Sequence, residues 1–334
     1  MLIPGTKVLV TGGSGFLGRH LLPQLLERGA QVSCLARSPA SAARFPSGVI
    51  PVFGDCANPG QVAAAVRDQE IIIHMAGLLF GDAWRDYLAL NGRMAQNIAA
   101  AAKAGTTLRK FIFVSSLAAA GPCAEPPGRR ETTPPEPVSA YGWSKLLAEE
   151  IITAHLGDKA VLLRPPIIYG SGDRGLLPLF RACGRGLGIG RGFPVSAIHG
   201  TDCARAIIHL CGADSGGIYH LNDGHIYTMD DISRAMAKAQ GRKSIKLLHP
   251  PLPVMKLAAA MSGTGHIMAS GVAKILGLKI PAPPQWNLDK YREAAQCGWV
   301  ADGRRLERTG FRAQISLDTG MEEAVNFYRR EGWL

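Results

Sequence analysis

Tyr141 and Lys145 stand four residues apart in Tyr141-Gly-Trp-Ser-Lys145, at the start of a segment with helical spacing, so both side chains project from one face. A phenol with an ordinary pKa of about 10 transfers protons poorly at neutral pH, and a neighbouring ammonium favours its ionised form. Such a pair suits acid–base work on a reacting oxygen. Ser116, at the end of an apolar run over 109–115, adds a hydroxyl that could hold that oxygen and stabilise charge developing on it.

A second constellation lies at residues 11–18, Thr-Gly-Gly-Ser-Gly-Phe-Leu-Gly, directly after the apolar run 7–10. Strand, glycine turn and helix start in this order bind the pyrophosphate of a dinucleotide. Gly12, Gly15 and Gly18 let the backbone turn, approach the phosphates and pack the helix on the sheet. The free N–H groups of the helix start, around Phe16 and Leu17, then face the anion.

Positioning these groups takes a particular scaffold. Short β runs at 7–10, 31–36, 49–53, 70–75, 109–115 and 159–164 alternate with helical patterns at 16–28, 60–67, 84–104 and 141–155. In 84–104, Tyr87, Leu88, Ala95, Ile98, Ala99 and Ala102 fall on one face. This alternation predicts an α/β fold, a Rossmann-type doubly wound parallel sheet whose ligands bind at the carboxyl ends of the strands. The Pro- and charge-rich 121–137 reads as a loop. From about 170 the alternation gives way to Gly-rich segments and shorter helices, read as a smaller, mostly helical substrate lobe over 171–334. The dinucleotide-binding domain then spans 1–170 and also receives part of 195–230.

The chain has 334 residues, 47% hydrophobic and 19% charged, which describes a globular protein with room for both units. Seven cysteines without a C-x-x-C pair read as reduced thiols rather than a disulfide frame or a zinc site. The N-terminus leads straight into the first strand and no apolar run approaches spanning length, so the expected location is cytoplasmic. The net charge of +11 suits an anionic cofactor, and no basic cluster interleaved with aromatics points to nucleic acid. The stretch 246–284 is basic, free of acidic residues and rich in Leu, Met, Ala and Ile. Val254, Leu257, Ala258 and Met261 share a helical face there, with Lys256 off it. Three readings stay open: a pair of helices packed on the lobe, an apolar lid over a greasy substrate, or a basic amphipathic surface touching lipid.

Taken together, these motifs resemble an extended short-chain dehydrogenase/reductase, of the NAD-dependent epimerase/dehydratase family, over nearly the whole chain. The resemblance implies a Ser116-Tyr141-Lys145 triad and a glycine motif at Gly12, Gly15 and Gly18. It also implies that Asp55 contacts adenine and that His74-Met75-Ala76-Gly77 brings Ala76 and Gly77 to the cofactor. Asn91 matches the family's Asn in the following helix. Pro165 and Ile168 fall in the segment whose backbone meets the nicotinamide amide. The same alignment favours Ser116 over Ser115 and leaves His74 as a satisfied strand-end residue. Asp202 matches an acidic position in the second lobe, where helix capping is the expected role. Relatives often pair through the helices that include 84–104 and 141–155, so a homodimer is an open expectation.

The cofactor and the reaction follow from what stands near these motifs. The second strand ends Ala36-Arg37-Ser38, with no carboxylate for a ribose 2′-hydroxyl, while Arg37 could grip a 2′-phosphate. NADP(H) is therefore expected, with NAD(H) as the alternative. Leu117-Ala118 stands where dehydratases of the family carry an acidic pair, which argues against water expulsion. The C-terminal third resembles 3β-hydroxysteroid dehydrogenase-like and dihydroflavonol reductase-like enzymes. The expected reaction is hydride transfer between nicotinamide and a ketone or secondary alcohol on a bulky hydrophobic substrate. A sugar-nucleotide epimerase with tightly held NAD and a non-catalytic nucleotide-binding subunit are the alternatives.

Overall fold

A computed structural model of the chain describes residues 4–79, 81, 84–212, 216–275, 278 and 284–334. Seven parallel strands form the main sheet: β1 (Lys7–Thr11), β2 (Gln31–Ala36), β3 (Ile50–Phe53), β4 (Ile71–His74), β5 (Lys110–Val114), β6 (Ala160–Arg164) and β7 (Gly217–His220). Their spatial order is β7-β6-β5-β4-β1-β2-β3. The six runs expected from the sequence are all present. The seventh strand returns from the C-terminal half to pair with β6, His220 beside Arg164.

The central strands are covered on both faces, which is why they read as apolar runs, whereas edge strand β3 is largely exposed. Alternate residues feed two cores. Val8, Val10, Ile71, Ile73 and Ile112 pack with Leu21, Leu22 and Leu25 of helix Phe16–Glu27 and with Ile207 of helix Gly200–Cys211. Leu9, Ile72, Phe111 and Phe113 face the other way, against Val62, Ala95, Ile98 and Ile152 of helices Pro59–Val66, Trp84–Ala104 and Ala140–Leu156. The chain runs outward from β1 to β3 and then crosses to β4 on the other side of β1. That reversal opens a crevice at the carboxyl ends of β1 and β4.

The lobe has its own core, in which Phe180, Ile232, Met236, Met321, Val325 and Tyr328 bring together helices Leu177–Gly184, Met229–Ala239 and Leu317–Arg330. Loop 121–137 is stitched to the C-terminal region by bridges from Cys123 to Trp299 and from Arg129 to Ala301. Among the described residues of 246–284 the structure holds a strand, Lys246–Leu248, and one long helix, Leu252–Ile275, where a pair of helices was one expectation. Lys279 lies outside the described residues. Asp202 corrects a second expectation. It does not cap its helix: its buried carboxylate accepts from the main-chain N–H of Gln314 and Ile315, both at 2.8 Å, and ties down the segment before the last helix.

Candidate active site

The glycine turn sits in the crevice. Gly12 has φ +77°, and a Cβ there would stand 2.7 Å from the Ala76 nitrogen, so β1 and β4 meet through bare backbone. At Gly18 a side chain would run into the carbonyl of Gly13, which lets helix Phe16–Glu27 start flush against the turn. Gly15 caps this helix without a side-chain hydrogen bond, and the first turn, with Phe16 and Leu17, holds no acidic residue. Unclaimed N–H groups at a helix start, with no local negative charge, fit the diphosphate of a dinucleotide.

Two residues expected at the cofactor follow the next two strands. Arg37 follows β2 directly, is exposed and makes no ion pair among the described residues. Asp55 follows β3; its Oδ1 accepts the Ala57 N–H at 2.8 Å while its own N–H donates to Gln61. One carboxylate oxygen of Asp55 thus shapes the turn.

Tyr141 and Lys145 lie in the first turns of helix Ala140–Leu156, both buried, and Ser116 closes β5. Ser116 Oγ accepts the Ala118 N–H at 3.1 Å, and its hydroxyl acts on Tyr141 in the direction that favours the phenolate. Lys145 Nζ donates to the Val114 carbonyl at 3.0 Å and lies 6.0 Å from the centre of the Tyr141 ring. Burial lowers Lys145 to a pKa of about 8, partly offset by Glu149 one turn on. The Tyr141 hydroxyl departs from the sequence expectation: it is pushed up, not down. Loss of water dominates, the Glu293 carboxylate adds to it, and the nearby Ser116 hydroxyl offsets only part. In the protein by itself Tyr141 is a firmly protonated phenol.

The β4 end joins the two halves. A Cβ on Gly77 would lie 3.3 Å from Lys145 Nζ and 3.4 Å from Asn91 Oδ1. Asn91 accepts the Leu78 N–H at 2.7 Å and donates to Ser144 Oγ at 2.9 Å, while Ser144 donates to the Tyr141 carbonyl. It therefore clamps the loop after β4 onto the catalytic helix. His74 is buried, paired with Thr11 Oγ1 at 2.7 Å and stacked on Phe113, with its pKa lowered to about 3 by burial. That is a strand-end role. Pro165 offers its carbonyl to Leu117 N–H at 2.8 Å, and Ile168 packs on the core beside it.

Three residues at this site were missed from sequence. Helix Leu288–Ala294 docks on the start of the catalytic helix: Asp289 accepts from the N–H groups of Ala140 and Tyr141, and Glu293 accepts from the Ser139 hydroxyl at 2.6 Å. Lys290 places Nζ 4.5 Å from the centre of the Tyr141 ring and pairs with Glu293 at 2.9 Å. The only local signal was the helix-start pattern Asn287-Leu-Asp289, which names no distant partner. On the far side, Arg164 and Glu149 form a buried two-point ion pair, 2.8 and 2.6 Å, that locks the helix to β6.

Residues 8–221 match the model of the NAD dependent epimerase/dehydratase family. The chain belongs to this family. It is 29% identical to ceramide reductase of Caulobacter vibrioides over 98% of this chain and 96% of that protein. It is also 28% identical to a 3-beta-hydroxysteroid dehydrogenase of Mycolicibacterium neoaurum, over 71% of each chain. Among solved structures, UDP-glucose 4-epimerase of Thermus thermophilus in complex with NAD superimposes with a TM-score of 0.74 at 22% identity, covering 97% of this chain and 99% of that one. That likeness speaks for the fold alone. The protein is an NAD-dependent enzyme of the extended short-chain dehydrogenase/reductase type, and 3-beta-hydroxysteroid dehydrogenases are among the proteins it is similar to.

Proposed function

We propose that the protein is a reductase that converts a ketone on a bulky, lipid-like substrate to the secondary alcohol, with NADPH as the preferred cofactor. The observation that carries this reading is geometric: Tyr141 and Lys145 are buried on one face of the helix that starts beside Ser116, with Lys145 Nζ next to Gly77 at the β4 end of the glycine crevice. The Tyr141 hydroxyl gives its proton to the carbonyl oxygen of the substrate. Ser116 steers that oxygen and shares the charge that develops on it. Lys145 holds the ribose hydroxyls and supports the phenolate left behind. When bound, the nicotinamide supplies the hydride.

The uncapped helix start would take the diphosphate, and exposed Arg37 would take a 2′-phosphate. Asp55 keeps one carboxylate oxygen for the adenine side. The substrate class rests on the full-length similarity to a ceramide reductase and on similarity to hydroxysteroid dehydrogenases, all proteins named for hydrophobic ketones or alcohols.

The test begins with the purified protein, which is denatured and its released nucleotide identified. Fresh protein is then titrated with NADPH and NADH and assayed with long-chain and sterol ketones. Exchangeable binding that prefers NADPH, with ketone-dependent oxidation, is the expected result. Stoichiometric, non-exchanging NAD would overturn the reading in favour of a sugar-nucleotide epimerase.

A further inference from the structure

Helix Leu252–Ile275 turns a row of large apolar side chains outward. The side it turns to the protein carries Ala259, His266 and Ala273, which are buried, with Leu252, Met255, Ser262 and Ser270 half-buried along it. The side it turns outward carries Val254, Leu257, Met261 and Met268, exposed by 56, 62, 67 and 68%. Steps of three, four and seven residues put these four on one stripe. A surface helix of a globular protein normally buries its large apolar side chains and shows its small and polar ones. Here the large flexible side chains face out, in a continuous row rather than as scattered single residues.

The charge around this stripe is equally one-sided. Between residues 232 and 288 the sequence has no Asp or Glu and eight Lys or Arg. Arg242, Lys243, Lys246 and Lys256 among them are exposed. The ladder that leads into the helix, Lys246–Leu248 beside Leu187–Ile189, adds exposed Leu187, Ile189 and Leu248. His249, paired with Asp230 at 2.9 Å, and Pro250-Pro251 then carry the chain into the helix. Apolar residues rimmed by cations, with no acidic residue in the segment that carries them, match a surface that is greasy beneath and negative on top. No helix among the described residues is long and apolar enough to cross a membrane.

We propose that the outward face of helix Leu252–Ile275 docks the protein peripherally on an anionic bilayer, with its apolar row among the acyl chains and Lys246 and Lys256 at the phosphates. The docked face lies close to the chemistry. The helix packs on Leu288–Ala294, whose Asp289 and Glu293 hold the residues around Tyr141. Delivery of a bilayer-borne ketone to Tyr141 rests on the reductase reading; the docking itself does not.

The test is co-sedimentation of the full chain with vesicles of phosphatidylcholine alone or with about a third phosphatidylglycerol. The anionic vesicles are expected to pellet the protein, with binding weakened as salt is raised. The triple variant Leu257→Glu, Met261→Glu, Met268→Glu should lose at least about tenfold in partitioning. Lys246→Gln with Lys256→Gln should lose about fivefold for each charge removed. Near-ultraviolet circular dichroism and NADPH titration verify that every variant is folded, which is expected because the altered side chains are exposed. Wild-type protein left in the supernatant, or pelleting unchanged in the triple variant, would overturn the proposal. So would a dimer, seen by sedimentation velocity and abolished by the triple variant, with no vesicle binding; the face then belongs to a second copy of the chain. Vesicle binding without ketone reduction would reject the reductase reading and leave the docking standing.

Discussion

Asp289 holds Tyr141 by its main chain: the carboxylate accepts the Tyr141 N–H at 3.1 Å and, with its other oxygen, the Ala140 N–H at 2.6 Å. A carboxylate at a helix start satisfies orphan donors and meets the positive end of the helix dipole. Here the carboxylate comes from another helix, so the lobe sets where the catalytic helix begins. Asp289→Ala would leave two buried N–H groups unpaired, at about 1–3 kcal/mol each. The expected outcome is a clear loss of thermal stability and about a tenfold lower kcat, with the dissociation constant for NADPH little changed. Asp289→Asn, which keeps one acceptor oxygen, should recover part of both. Wild-type kcat in the Ala variant would show that the contact does not position Tyr141.

Removing the Tyr141 hydroxyl isolates the acid. Tyr141→Phe keeps the ring that packs against Tyr87 and lies under Lys290, so the fold should be unaffected. Turnover should fall by about 10²–10⁴-fold, the usual weight of a positioned acid, while NADPH binds as before. Stopped-flow oxidation of NADPH alongside a fluorescence titration separates the two effects. Full activity in this variant would assign the proton to another group.

Lys145 sets the upper pH limit. Its ammonium form exists below about pH 8, because burial destabilises the charge more than Glu149 restores it. Tyr141 is shifted the other way and keeps its proton throughout that range. The value of kcat/KM for NADPH should therefore be level up to about pH 8 and decline above it, and the decline should vanish in Lys145→Met along with most activity. A level profile to about pH 9.5 would place the Lys145 charge outside the reaction.

Arg37 is the natural lever on the cofactor. A charge-assisted contact to a phosphate contributes about 1.5–3 kcal/mol, so Arg37→Asp should weaken NADPH by about tenfold to a hundredfold. The new carboxylate, placed where a ribose 2′-hydroxyl is bound, should at the same time improve NADH. Equal loss of both cofactors would mean that Arg37 supports the turn after β2 instead.

The parts of this molecule that were legible in sequence are those made by neighbours along the chain. β1, β4, β5 and β6 are buried on both faces and so could only be apolar runs, and Gly12 and Gly18 stand where any side chain would collide with backbone. Tyr141 and Lys145 share a helix face by spacing alone. What stayed hidden was long-range: Asp289 meets Ala140 across 149 residues, and Asp202 meets Gln314 across 112. An acidic residue near a helix start looks like a cap of its own helix unless the partner is seen. The row Val254, Leu257, Met261 was visible as a face, but periodicity does not say whether a face turns inward or outward.

Three buried histidines make the fold sensitive to acid. His20 and His220 are lowered to about 4 and His74 to about 3, chiefly because burial strips their charged forms of water. Each is hydrogen-bonded while neutral: His20 to Thr201 and Ser171, His74 to Thr11, and His220 through Nδ1 to the Arg129 carbonyl, its Nε2 being buried without a partner. In the unfolded chain the same rings bind protons from about pH 6.5 downward. Below that pH the unfolded state holds protons that the fold refuses, so stability falls as pH falls, toward the folded pKa values. At about pH 5 each ring contributes a loss of about 2 kcal/mol, or about 6 kcal/mol for three. Asp173 works in the opposite sense: its carboxyl is raised to about 6 by burial, so the fold takes up a proton early and regains about 1–2 kcal/mol at that pH. The balance is a loss of about 4–5 kcal/mol between about pH 7.5 and about pH 5, a large share of a domain's stability. Urea unfolding at the two pH values measures it. His220→Asn, whose amide can still donate to the Arg129 carbonyl, should remove about 2 kcal/mol of the pH dependence, a little under half. Equal midpoints at both pH values would mean that these rings take up protons in the folded protein.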